Sequence, residues 1–161
     1  MREIKFRAKH GKEWVCGDLH LLSKMPHIHT DPFTKKSINI ETIGQYTGLR
    51  DKNGKEIYEG DIIRYTDVNS HSVDPIGDGF TSYIEHWATI RKDVVVFSNG
   101  TFLVNDSPLA WLGFDTIGDL KDCLGIPEDE DCDVNGTVID ESLVGIEVIG
   151  NIYDNPKLVE G

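Results

Sequence analysis

No apolar run in this sequence is long enough to cross a bilayer as a helix, so the chain does not read as a helical membrane protein. Cysteine is scarce: Cys16, Cys123 and Cys132 are odd in number and show no C-x-x-C spacing. That pattern excludes a disulfide framework, and it gives no spacing for a zinc site built from these thiols and some of the six His. Ordinary reduced thiols are expected. No glycine-rich strand-to-helix turn occurs, so Walker and dinucleotide cradles are absent, and the 16 Gly fall in turns instead. No G-x-S-x-G elbow presents a serine. Carboxylates abound, but an acidic loop gives none of them a reason to keep its proton. The expectation is a protein that is not an enzyme, with no catalytic residues, no metal and no cofactor. The first residues alternate charge and apolarity without a signal-peptide core, which predicts a cytoplasmic protein.

Basic residues are in deficit, and the deficit is local. The net charge of −12 arises mainly from residues 105–141, where 11 Asp/Glu face Lys121 alone. Residues 1–65 carry 12 Lys/Arg against 9 Asp/Glu. A chain this acidic does not attract nucleic acid through a general field, although Arg50, Lys52 and Lys55 form a small basic patch.

What the sequence does have is β-patterning. Ile4, Phe6 and Ala8 alternate with Glu3, Lys5, Arg7 and Lys9, the period of a half-buried strand with one charged face. A turn at residues 10–12 leads to a second strand, and Gly17-Asp18 breaks it before residues 19–22. Residues 23–37 read as a loop. In the stretch 45–63, Asp51-Lys52-Asn53-Gly54-Lys55 is the turn of a hairpin, with Asn53 and Gly54 supplying positive φ. Residues 94–98 and 101–105 flank Asn99-Gly100, the pair favoured by a type I′ turn, and the apolar residues 94–97 suggest a central strand. Thr116 stands three residues before Asp119 as in a capping box. Ile117, Leu120 and Leu124 then recur at helical spacing, and Gly125 and Pro127 stop the run.

The predicted fold is mainly β: a small, partly open β-barrel built from hairpins, with an N-terminal β-meander and one short helix. Residues 1–65 hold the meander and the central hairpin, and 66–82 form a loop insertion. Residues 83–161 hold the second hairpin, the helix, an acidic loop and a C-terminal strand, in one compact unit with 1–65.

Two short patterns carry metal chemistry. His27-Ile28-His29-Thr30-Asp31 has the H-x-H-x-D spacing of some metallohydrolases, but Pro32 stands where another His is usual, and a solvated loop is expected. Asp131-x-Asp133-x-Asn135-Gly136 begins like a calcium loop, yet Ser142 occupies the place of the bidentate Glu. An exposed acidic turn is expected there.

Three stretches in order resemble the YopX family: the opening Met1-Arg2-Glu3-Ile4-Lys5-Phe6-Arg7-Ala8, the central 45–63, and the ending Glu147-Val148-Ile149-Gly150-Asn151-Ile152-Tyr153-Asp154-Asn155-Pro156. Lys9 replaces the Trp that usually follows the opening Arg-Ala. The resemblance implies an accessory protein of a bacteriophage or prophage, working in the cytoplasm of a bacterial host. It carries no catalytic or ligand residues onto this chain, so the binding residues stay unassigned. Exposed strand edges predict that the protein acts by binding or self-assembly, as a homo-oligomer or with a host or phage protein. A small β-barrel module that associates with nucleic acid is the alternative, and an acidic decoy of a host protein, using residues 105–141, is another.

Overall fold

The computed structural model describes residues 3–21, 25–77, 79 and 82–160. Among the described residues twelve strands run in chain order: β1 (Phe6–His10), β2 (Glu13–His20), β3 (His27–Asp31), β4 (Thr34–Ser37), β5 (Asn39–Arg50) and β6 (Glu56–Tyr58) come first. They are followed by β7 (Asp61–Val73), β8 (Tyr83–Val94), β9 (Val96–Ser98), β10 (Thr101–Val104), β11 (Ser107–Pro108) and β12 (Glu147–Asn151). A single α-helix, α1 (Ile117–Leu124), lies between β11 and β12 among the described residues.

The mainly β expectation holds, but the sheets do not close into a barrel. A six-stranded sheet has the order β4-β3-β2-β1-β5-β6, and two three-stranded sheets have the orders β11-β10-β9 and β12-β7-β8. The hairpins expected to share a barrel are divided among these sheets. The chain falls into two compact units, one of Met1–Ile63, Asp93–Ala110 and Val148–Gly161, the other of Arg64–Lys92 and Trp111–Glu147.

The first unit is held by β1, whose two faces are both covered. Ala8 is fully buried, and Arg7, expected on a charged solvent face, is buried as well. Strand β2 does not stop at Gly17. Its first half pairs with β1, up to Phe6↔Gly17, and its second half pairs with β3, from Asp18↔His29 to His20↔His27. Gly17 is where the strand changes partner. Its φ is +151°, and a Cβ there would lie 1.9 Å from the His29 carbonyl oxygen, so only glycine fits this approach. The loop expected at 23–37 contains the β3–β4 hairpin, because Ile28 is completely buried between the flanking histidines. The β9–β10 turn has the predicted conformation, with φ of 51° at Asn99 and 84° at Gly100. Strand β9, however, is an edge, and Val96 and Phe97 are exposed while Val95 before it is buried.

In the second unit, Ala88, Leu120, Leu124, Ile139 and Leu143 form the core, with Val68, Phe114, Ile117 and Ile126 packed against it. Helix α1 has the predicted capping box: the Thr116 hydroxyl accepts from the Asp119 amide, the Asp119 carboxylate accepts from the Thr116 amide, and Gly125 ends the helix in the left-handed conformation. Residues 78, 80 and 81 of the loop expected at 66–82 lie outside the described residues, and residues 66–73 of it are strand, because β7 continues to Val73. Its polar residues are paired with side chains of β8: Asn69 bonds Thr89 and Arg91, and Asp67 bonds Arg91. On β8 Ile90 is exposed, and Ala88 takes the buried position.

Candidate functional site

A concave site in the first unit has a volume of about 480 Å³. Residues from all three of the stretches named above line it: Arg7 from the opening, Arg50, Glu56, Tyr58 and Asp61 from the centre, and Asn151 and Asp154 from the ending. At its base the Arg7 guanidinium sits between the rings of Trp14 and Tyr58, with centroids 4.6 and 4.7 Å from its carbon. Arg7 Nη2 donates to Asp61 Oδ1 at 2.6 Å and to the Glu59 carbonyl at 3.3 Å. Asp61 is itself buried and accepts from the Tyr58 amide at 2.9 Å and the Asn151 side-chain amide at 3.3 Å. A charge removed from water in this way is stable only because each of these bonds is made.

The rim continues the pairing. Glu56 accepts from Lys5 at 2.5 Å, from Arg50 at 2.7 Å and from the Tyr58 hydroxyl at 2.8 Å. The Lys5 hydrogen bond holds the Glu56 carboxyl below its usual range, against a smaller effect of burial, and the same bond raises Lys5. Burial pushes the Tyr58 hydroxyl strongly upward, and the Glu56 and Cys16 side chains add to it, so Tyr58 stays a neutral phenol. Asp154 accepts from Lys9 and, at 2.8 Å, from Trp14 Nε1, which holds its carboxyl low. Each of these charged groups faces a partner of opposite charge. Such an arrangement braces strands and presents a polar concave surface.

Asp51 joins the centre to the ending in a second way. One carboxylate oxygen accepts from the Asn53 and Lys55 amides, at 2.8 and 2.9 Å, and the other accepts from the Val148 amide at 3.0 Å. Burial acts to raise its carboxyl, but these three amides outweigh it and the value falls below the ordinary range. Gly54 takes φ +79° in this turn, while Asn53 is not among the residues of positive φ. The turn is therefore organised by the Asp51 carboxylate more than by an Asn-Gly pair.

The calcium-like stretch uses its acids in the same manner. Asp133 is buried and accepts from the Asn135 and Thr137 amides, both at 2.9 Å, and from the Ala88 amide at 2.8 Å. Asp131 accepts from Lys121 at 3.1 Å. These oxygens are engaged in holding a turn and a strand. Cys16, Cys123 and Cys132 are free and exposed.

His27 and His29 project from one face of β3, and the register brings His20 opposite His27. The three imidazoles offer ligand nitrogens within 4.8 Å of one another. Asp31, the third residue of the H-x-H-x-D spacing, is spent elsewhere: its carboxylate accepts from the Phe33 and Thr34 amides, both at 2.9 Å, and closes the β3–β4 turn. His20 was not legible as a member of this group, since its place depends on the register of a strand pair expected to be a loop.

No curated protein matches this chain. Among solved structures it is similar to the crystal structure of protein EF1440 from Enterococcus faecalis, with 24% identity over 99% of each chain and a TM-score of 0.45. The family model described as YopX protein matches residues 5–160. The match runs through all the strands that build the site around Arg7 and Asp61, and the chain belongs to the YopX family.

Proposed function

We propose that this chain acts by binding and not by catalysis, as an accessory protein of a phage or prophage in the bacterial cytoplasm, and that it associates with itself through an open sheet edge. The observation that carries the reading is β8, a strand of 12 residues at the edge of its three-stranded sheet. Tyr83, Ile84 and Ile90 of this strand are exposed. Unpaired edges of that length recruit a further strand unless something blocks them. Asp133 blocks β8 at one point, where its carboxylate takes the outward Ala88 amide. The far edge of the six-stranded sheet contrasts with it: β4 is only four residues long and presents Lys35 and Lys36, a common way of discouraging strand addition.

Two further features favour binding over reaction. The ionic groups around Arg7 are mutually neutralised, and Tyr58 is held as a phenol. The charge of −12 weighs against a nucleic-acid partner, which a general positive field would attract. Placing lysines at Ile84 and Ile90 tests the reading, because the edge would then repel a second copy while both positions stay solvated. Association unaffected by this double change would remove β8 from the account.

A further inference from the structure

We propose that His20, His27 and His29 form a binding site for one divalent transition-metal ion of the zinc type. Three observations carry it. The first is register: His20 and His27 face each other across the β2–β3 ladder, and His29 follows two residues later on the same face. Their ring centroids are 5.4 Å apart for His20 and His27, 4.5 Å for His20 and His29, and 5.1 Å for His27 and His29. The second is distance. A tetrahedral zinc ion bound at about 2.0–2.1 Å sets its ligand nitrogens roughly 3.4 Å apart. Ligand atoms already within 4.8 Å reach that spacing by side-chain rotation alone, since the rings stand on the solvent side of the ladder with Ile28 buried between them.

The third observation is orientation. His27 Nδ1 lies 3.2 Å from the Met25 carbonyl oxygen, which can only accept, so the proton resides on Nδ1 and the lone pair of Nε2 is left for a ligand. A carbonyl behind one ring nitrogen is the usual arrangement of a metal-ligating histidine. The supporting backbone is fixed by the close approach of Gly17 to the His29 carbonyl. Asp18 and Lys35 are the register neighbours of His29 on either side, one acidic and one basic. Three nitrogens leave a fourth position to water or an anionic group. A pocket of about 540 Å³, lined by His20, His29, Asp18, Asp31 and Lys5 among others, adjoins it.

The test is equilibrium dialysis and titration calorimetry of the full chain, free of any histidine tag and stripped of metal, with zinc as the probe. One ion per chain is expected. His27→Ala and His29→Ala should each weaken binding by at least about tenfold, the scale on which even outer partners of a metal site act. His86→Ala should leave it unchanged. Because Cys16, Cys123 and Cys132 are exposed and also take zinc, the triple serine variant is titrated in parallel and should retain the ion. Far-UV circular dichroism without metal checks that each variant is folded. No uptake by the native chain, binding that survives both histidine changes, or binding abolished in the serine variant would each overturn the assignment.

Discussion

The Arg7 guanidinium and the Asp61 carboxylate meet at 2.6 Å from positions 54 residues apart, with side chains 10% and 2% exposed. This pair ties the opening of the chain to its centre, and Asn151 ties the ending to the same carboxylate. Asp61→Asn would leave Arg7 buried and uncompensated, at a cost of about 3–5 kcal/mol. Urea unfolding of the variant should show that loss as a lower midpoint. Replacing Arg7 and Asp61 together by apolar residues should cost less than the sum of the single changes, because no lone buried charge remains.

Asp51 and Asp133 predict an acid-sensitive fold. Hydrogen bonds depress both carboxyls below their unfolded value of about 3.9, so the stability they contribute is present above about pH 4 and lost as pH falls through the folded values. Asp51→Asn sets an amide donor against the Val148 amide, and about 1–3 kcal/mol should be lost near neutral pH. Unfolding curves measured from neutral pH downward should also show a shallower acid decline for the variant than for the native chain.

These two aspartates show what the sequence could and could not convey. The turns at 51–55 and 133–137 were legible as turns, the first from Asn53-Gly54 and the second from its likeness to the start of a calcium loop. The third bond each carboxylate makes, to Val148 or to Ala88, depends on which distant strand arrives, and spacing carries no such information. Arg7 misled for a related reason. Alternation places it on a charged face, but Trp14 and Tyr58 cover that face and turn it into an interior. Helix α1 was legible almost to the residue because its cap, stripe and stop are all local. The division into three sheets was not, and a barrel was expected in its place, because hairpins are local while their assignment to sheets is not.

Gly17→Ala should destabilise the β2–β3 ladder. The new methyl group would meet a backbone carbonyl that cannot rotate away, so a loss of about 2 kcal/mol or more is expected. Thermal unfolding should register it, and amide exchange should rise first at residues 18–20 and 27–29.

Thr116→Ala removes the hydroxyl that accepts from the Asp119 amide and should cost about 1 kcal/mol. Thr116→Ser should restore most of it. A loss of the same size in both variants would mean that the cap hydrogen bond is not what matters at this position.

Self-association through β8 is the claim on which the functional reading rests. Sedimentation velocity of the full chain, from micromolar to near-millimolar concentration, should show a mass that rises above the 18.1 kDa of one copy. The variant carrying Ile84→Lys and Ile90→Lys should remain at the single-copy mass over the same range. A native chain that sediments at 18.1 kDa throughout would contradict the account.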